Sequence, residues 1–349
     1  MRKFHKHLKV VCALSGGVDS AVATALLKKK GIEVIGVFLR FFSTYAPEAE
    51  RRAELIAKIL RIPFYVFNVE KEFRREVINY FLKAYEWGLT PNPCVVCNKK
   101  IKFGVFARKA LLKFKANFIA TGHYVRIIQR KEDGRWHLLK GKDKEKDQSY
   151  FLWSLTQTQL KHVLFPVGEY TKTEVKEIAK EFKLPIFELS ESHEICFIRT
   201  TVNEFLKKHL RAKKGKIVDK KGKCLGYHSG LFLYTIGQRK GIGLGGGPYY
   251  VLEKDLRKNI LVVTRDEKDL YKKELIAKNV NWISGILPNF PLRVKAKIRY
   301  KHSPASATVK EEGKRKVRVI FDSPQRAITP GQSVVFYKGD EILGGGIIC

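Results

Sequence analysis

One stretch constrains this chain more than any other: Leu14-Ser15-Gly16-Gly17-Val18-Asp19-Ser20. The apolar run Val10-Val11-Cys12-Ala13-Leu14 leads into it and reads as a buried strand. Residues 21–30 leave it as a helix, with Val22, Ala25 and Leu26 on one face and Gly31 as the stop. A strand, a small-residue turn and a helix aim several backbone N–H groups at one point. The glycines admit an anion close to the backbone, and the helix N-terminus supplies partial positive charge. The G-x-x-x-x-G-K-S/T spacing of the Walker loop is absent. A nucleotide loop of another kind is expected, against the plainer reading of a tight strand-to-helix connection.

The residues that follow repeat the alternation. Residues 32–39 read as a second strand, and Ala49, Ala53, Ile56 and Leu60 have helical spacing. Residues 64–69 read as a third strand and residues 70–87 as a longer helix. Such a series predicts a doubly wound parallel sheet, with ligands beyond the carboxyl ends of its strands. The end of the second strand, near Leu39, then lies beside the glycine turn. Phe118-Ile119-Ala120-Thr121-Gly122-His123 is another strand ending in a small turn. Gly122 there permits close backbone approach, and His123 either faces a ligand or is structural. A hairpin turning at Asp133-Gly134 follows. The polar loop of residues 142–150, with Lys146, Asp147 and Gln148, either binds phosphates or is simply solvated. Thr171-x-x-Glu174 is a capping box opening a helix that stops before Pro185.

Between these lies Thr90-Pro91-Asn92-Pro93-Cys94-Val95-Val96-Cys97. Its two prolines read as a rigid loop, with a helix from residue 98 to 114. Cys97 would then stand at a helix N-terminus near Lys99, Lys100 and Lys102, features that favour thiolate. The C-x-x-C is a redox pair, half of a metal site, or one reactive thiol with a neighbour. Cys196 falls after a polar turn, Ser190-Glu191-Ser192-His193-Glu194, at the edge of the first domain.

From about residue 202 the pattern changes. Residues 207–223 are basic and contain glycine. Residues 231–236 and 249–252 read as strands around a glycine-dense loop. After residue 272 the chain alternates, as in Leu292-x-Val294-x-Ala296-x-Ile298, and short strands with Gly and Pro turns predict a compact β-barrel. The expected domains are residues 1–201, 202–271 and 272–349. The whole is α/β, a doubly wound sheet followed by a small central domain and a C-terminal β-barrel.

Charge narrows the partner. The chain has 68 Lys and Arg against 34 Asp and Glu, a net charge of +34, which favours a polyanion. Six cysteines in 349 residues are too few for a disulfide-stapled secreted fold. The basic start runs straight into the glycine turn, unlike a signal peptide, and no apolar run approaches membrane-spanning length. A reducing, cytoplasmic setting with no membrane partner is expected.

S-G-G-x-D-S resembles the loop of the ATP pyrophosphatases (HUP-like), which cleave ATP to AMP and pyrophosphate. The chain as a whole resembles the tRNA-specific 2-thiouridylase family. The resemblance rests on Ser15-Gly-Gly-Val-Asp-Ser20, Thr90-Pro-Asn-Pro93 with Cys97-Asn98, Ala120-Thr-Gly-His-Tyr124, Lys146-Asp-Gln-Ser-Tyr150, Phe165-Pro-Val-Gly168, Ile195-Cys-Phe-Ile198, Gly237-Gln-Arg-Lys-Gly241, Thr329-Pro-Gly-Gln332 and Leu343-Gly-Gly-Gly-Ile347. It implies a nucleophilic cysteine at Cys97 and a persulfide carrier at Cys196. It implies ATP contacts at Ala13, Leu14, Ser15, Gly16, Gly17, Val18, Asp19, Ser20, Leu39 and Gly122. It implies a target-base loop at Asn92, Pro93 and Cys94, and tRNA contacts at His123, Lys146, Asp147, Gln148, Arg299, Tyr300 and Gln332. The family commonly has an Asp where this chain has Cys94.

The activity so implied is 2-thiolation of a tRNA wobble uridine: ATP with Mg²⁺ adenylates the C2 oxygen, and persulfide sulfur replaces it. The sulfur comes from a donor protein or sulfide. Because Cys94 adds a third thiol, a [4Fe-4S] cluster on Cys94, Cys97 and Cys196 is a second route. Rival readings are a small-molecule ATP-pyrophosphatase ligase and a non-enzymatic RNA-binding protein.

Overall fold

The run leading into the glycine turn is the centre strand of a parallel sheet. In the computed structural model, residues 8–42, 47–185 and 195–349 are described. Strands β1 (Lys9–Ala13), β2 (Glu33–Arg40), β3 (Phe64–Asn68), β4 (Phe118–Ala120) and β7 (Val163–Leu164) form a five-stranded parallel sheet in the order β3-β2-β1-β4-β7. Val10 and Val11 are fully buried, as a strand covered on both faces requires. Helix α1 (Val18–Lys29) follows the glycine turn, and Gly31 beyond it takes a φ of +72°. Helix α2 (Pro47–Ile59) buries Ala53, Ile56 and Ala57. Successive strands step away from β1 to β3, and the chain then crosses to β4 on the other side. The direction therefore reverses between β1 and β4, and a cleft opens beyond their carboxyl ends.

Two long helices carry the rest of the first unit. Glu70–Phe73, Arg74–Ile78 and Asn79–Glu86 run on as one helix, α3. Pro93–Val96, Cys97–Phe106 and Ala107–Phe114 run on as another, α4. Helix α4 begins earlier than the prolines suggested. Asn92 is its N-cap, accepting from the Val95 N–H at 3.4 Å, and Pro93 takes the first helical position, where its missing N–H costs nothing. Cys97 is therefore a full turn inside the helix and not at its end. The stretch Cys97–Phe106 is π-helical.

The hairpin expected around Asp133-Gly134 is present as β5 (Val125–Gln129) and β6 (Trp136–Lys140). Its outer partner was not legible: β6 pairs with the last strand of the chain, Leu138 opposite Ile342 and Leu139 opposite Glu341. Ion pairs Arg126–Asp340 and Arg130–Glu341 reinforce the seam. Strands Tyr271–Trp282, Leu292–Lys297, Ala305–Gly313, Lys316–Arg326, Ser333–Lys338 and Glu341–Ile348 close into a barrel, since Tyr271–Trp282 pairs with both Lys316–Arg326 and Glu341–Ile348.

The middle of the chain is a four-stranded sheet of Gly215–Val218, Cys224–His228, Tyr250–Asp255 and Ile260–Thr264. Its core includes Phe81 and Tyr85 of α3. The strand expected over residues 231–236 is instead a buried 3₁₀ turn, Leu231–Leu233. Its residues are apolar because they fill this small core, not because they pair. The helix Val202–His209 lacked an expectation, although Thr201 and Glu204 form a capping box at its start. The first seven residues and the polar turn at residues 190–194 lie outside the described residues.

Candidate active site

The glycine turn is built to receive an anion. Gly17 is the N-cap of α1 and no side chain caps the first turn. The N–H groups of Val18, Asp19 and Ser20 thus point out of the helix without intrahelical acceptors. Gly16 takes a φ of +79°, open to glycine at no cost. Ser20 turns inward and staples the loop: its hydroxyl donates to the Gly17 carbonyl at 2.9 Å and accepts from the Ser15 N–H at 3.1 Å. Asp19 is held by the Tyr124 hydroxyl at 2.7 Å and by the Lys172 ammonium. Neither Tyr124 nor Lys172 stood out in the sequence as a partner of this loop.

Gly122, at the end of β4, faces the same turn. A Cβ there would lie 2.6 Å from the Ser20 nitrogen and 2.7 Å from the Asp19 carbonyl carbon. Its small size lets β4 and the start of α1 touch. Thr121 Oγ1 and His123 Nδ1 are 2.8 Å apart. Burial holds the His123 pKa well below its ordinary value, so the imidazole is neutral. His123 packs against Phe103 and Phe165 and is only 8% exposed.

The thiols converge on the same region. Cys97 belongs to the core that contains Leu39, and Ala13 and Phe197 pack against it. Phe197 is fixed by Phe73 and Phe81, with ring centroids 5.9 and 5.2 Å away, while Phe41 at the end of β2 packs on Phe73 at 4.8 Å. This aromatic chain brings the bend carrying Cys196 back to the nucleotide end of the sheet. Cys94, Cys97 and Cys196 lie close enough to influence one another's ionisation, and Lys102 acts on all three. The π-helical stretch explains Lys102. Its bonds run from residue i to i+5, which carries Lys102 back over Cys97 where an α-helix would rotate it away.

Cys97 does not have the depressed pKa expected of a helix N-terminus. Burial pushes it up to about 12, with Lys102 pulling it partly back. Cys196, though exposed on one side, is pushed up to about 11 by burial of its sulfur surroundings, with Cys94 adding to the rise. Cys94 is raised by burial too. The resting thiols are therefore protonated at neutral pH, and thiolate must be drawn out by Lys102 or by a substrate. Because both values lie above the working range, alkylation of Cys196 by iodoacetamide should rise about tenfold per pH unit from 7 to 9. Rates of peptide labelling followed by mass spectrometry check this, and a plateau at pH 8 would contradict it.

Among the described residues no three His, Cys, Asp or Glu side chains are grouped so as to hold a metal ion. Cys94, Cys97 and Cys196, the expected cluster ligands, do not form such a group among them.

The barrel reaches under the 90–93 loop. Thr90 N–H donates to the Pro330 carbonyl at 2.9 Å, and Gln332 Nε2 donates to the Thr90 carbonyl at 2.9 Å. Gly331 takes a φ of +92°, and a Cβ on it would lie 2.8 Å from the Thr90 nitrogen. Arg299 donates to the Ala327 carbonyl and to Thr329 Oγ1. Tyr300 packs on Phe151, centroids 4.5 Å apart, and the Phe151 carbonyl accepts from Asn98 on the thiol-bearing helix. Gln148 Oε1 accepts from the Tyr124 N–H at 3.1 Å, and the Lys146 N–H donates to Asp143 Oδ1 at 3.1 Å. Asp147 is buried and accepts from the Gly141 and Ser149 N–H groups at 3.0 and 3.1 Å, fixing this loop from within.

Three family models match in succession: a tRNA methyl transferase HUP domain over residues 8–200, a tRNA methyl transferase PRC-barrel domain over residues 203–265, and an aminomethyltransferase beta-barrel domain over residues 272–348. The chain is 45% identical over 357 residues to the tRNA-specific 2-thiouridylase MnmA of Clostridioides difficile, covering 97% of this chain and 98% of that one. It is 46% identical over 352 residues to the same-named protein of Moorella thermoacetica, covering 96% and 98%. Identity of this level along nearly the full length of both chains places them in one fold and one lineage. The chain belongs to the tRNA-specific 2-thiouridylase family.

Proposed function

We propose that the protein catalyses ATP-dependent 2-thiolation of the wobble uridine of tRNA. Two observations support this reading: Cys97, Cys196 and Lys102 lie within electrostatic reach of one another, and the same domain presents the uncapped first turn of α1 after its central strand. The first-turn N–H groups of α1 and the loop at residues 13–20 take the ATP phosphates, with Leu39 and Gly122 bordering the nucleotide. Mg²⁺ held by the phosphates would supply charge neutralisation, with Asp19, braced by Tyr124 and Lys172, as the loop's own carboxylate.

Uracil's C2 oxygen is a poor leaving group. Its attack on the α-phosphorus of ATP expels pyrophosphate and leaves AMP on the oxygen. The terminal sulfur of a persulfide on Cys196 then adds to C2, and AMP departs with the C–O electron pair. Cys97 as thiolate attacks the Cys196 sulfur, so the thiouridine sulfur leaves and a Cys97–Cys196 disulfide remains. The base must leave the anticodon stack to reach these thiols, and the loop at Asn92, Pro93 and Cys94 receives it. His123, Lys146, Asp147, Gln148, Arg299, Tyr300 and Gln332 form or support the tRNA-facing rim. A charge of +34 makes binding to RNA strongly salt-dependent. Residues 1–201, 202–271 and 272–349 act as catalytic, central and RNA-contacting units in the cytoplasm. The sulfur comes from a donor protein or sulfide.

The test is nucleoside mass spectrometry of tRNA after incubation with enzyme, ATP and a sulfur source. The expected result is 2-thiouridine with stoichiometric AMP and pyrophosphate. AMP formation indifferent to RNA, with the nucleosides unchanged, would instead identify a metabolite ligase. A methyl-group gain with no thiouridine would overturn the thiolation reading.

A further inference from the structure

The π-helical stretch of α4 leaves a backbone carbonyl that the helix itself does not satisfy, and a side chain from another element takes it. We propose that Gln159 is a positioning residue of the thiol site: its amide holds α4 in the π register that keeps Lys102 beside Cys97. This rests on the thiolation reading above.

Within Cys97–Phe106 each N–H bonds five residues back, and the Ala107 N–H still donates to the Lys102 carbonyl. From Ala107 onward the chain is α-helical, so the next N–H, that of Arg108, bonds four residues back, to Gly104. Between these two bonds the Phe103 carbonyl is passed over. Gln159 supplies the donor: its Nε2 donates to the Phe103 carbonyl at 2.9 Å and to the Lys99 carbonyl at 3.1 Å. The other end of the amide is fixed as well. Gln159 Oε1 accepts from the Thr156 N–H at 3.1 Å, within the capping box that opens the short helix Gln157–Leu160. One side chain therefore ties the π stretch of α4 to the element beside it.

The register decides where Lys102 stands. In an α-helix, residue i+5 lies about 140° around the axis from residue i. Bonding from i to i+5 brings it back to the same side. Lys102 is the fifth residue after Cys97, and its charge reaches that thiol. Without the Gln159 donor, the Phe103 carbonyl is satisfied from within α4 only if the Ala107 N–H shifts onto it, which is the α register. The π stretch then shortens from its end, and Lys102 swings away from Cys97.

The experiment uses the full-length protein as wild type, Gln159→Glu, Lys102→Gln and the double variant. Glutamate keeps an oxygen for the Thr156 N–H, as a capping box allows, but offers the two carbonyls no donor. Should it prevent folding, which melting curves report, Gln159→Leu makes the same comparison without a charge. The first readout needs no substrate: the rate at which iodoacetamide labels Cys97 at pH 9, located by peptide mass spectrometry. The second is 2-thiouridine formed in a single turnover with tRNA, ATP and a persulfide donor. Gln159→Glu is expected to slow Cys97 labelling by about three- to tenfold, the scale of removing one nearby cation from a thiolate, and single-turnover thiolation falls with it. In the Lys102→Gln background the same substitution should change neither rate by more than about twofold, because Gln159 acts through Lys102. Equal losses in both backgrounds would overturn the inference, since a residue that only supports the fold gives them. Wild-type rates in Gln159→Glu would overturn it too, as would faster labelling, the mark of a helix merely loosened. A wild-type protein that makes no thiouridine would instead overturn the parent reading, and the labelling comparison would still decide the role of Gln159.

Discussion

Cys196→Ser is expected to abolish 2-thiouridine formation, by on the order of 10⁴-fold or more, while leaving the adenylation half of the reaction in place. A serine hydroxyl cannot carry a sulfane sulfur, so nothing remains to attack the activated C2. The residue is exposed on a turn and thiol-to-hydroxyl is a small change in volume, so the fold should tolerate it. Its neighbour Phe197, not Cys196, supplies the anchor against Phe73 and Phe81. Three measurements separate the outcomes: thiouridine by mass spectrometry, tRNA-dependent exchange of pyrophosphate into ATP, and tRNA affinity. Loss of the first with retention of the other two supports the persulfide role. Thiouridine at a wild-type rate would sink it.

Gly122→Ala should damage ATP use without touching a nucleotide contact of its own side chain. The new methyl would meet the Ser20 nitrogen at 2.6 Å and the Asp19 carbonyl carbon and oxygen at 2.7 and 2.9 Å. All three are backbone atoms in the first turn of α1 and have no rotamer by which to yield. The helix start must move off β4, carrying its N–H groups away from the phosphates. Overpacking of this kind costs about 1–3 kcal/mol in stability. A displacement on the order of 1 Å at the site costs about 10²-fold in kcat/KM for ATP. Gly17→Ala is the contrast, because its Cβ would meet only Ser15 Oγ, at 3.5 Å. It should leave the melting temperature of the nucleotide-free protein almost unchanged and report on ligand approach alone. Equal melting temperatures for wild type and Gly122→Ala would refute the argument.

Four of the five parallel strands were legible because each is a short apolar run ending at a turn, with single-faced helices between; Val163–Leu164, only two residues long, was not. The glycine turn was legible for the same reason, since its small residues leave few other conformations. The start of α4 was misplaced because proline was weighed as a breaker. At Pro93 it follows an Asn cap, where its fixed φ begins a helix. That shift moved Cys97 from a solvent-facing helix end into the core and reversed the direction of its pKa. The role of Lys102 depends on π-helical turns that no local residue pattern announces. Tyr124 and Lys172 reach Asp19 from 105 and 153 residues away, a separation over which spacing carries no signal. The capping box at Thr201 and Glu204 was present in the sequence and marked a helix all the same.

The seam between β6 and Glu341–Ile348 has a consequence for how a long substrate is measured. The catalytic sheet and the barrel are joined by a strand pairing and two ion pairs, not by a flexible tether. With Gln332 and Gly331 braced against Thr90, the barrel is set at a fixed offset from the helix that carries Cys94 and Cys97. The molecule works as a caliper. On the proposed function, one jaw would seat the RNA stem and the other present the sulfur, so the rigid gap between them would decide which nucleotide reaches Cys97.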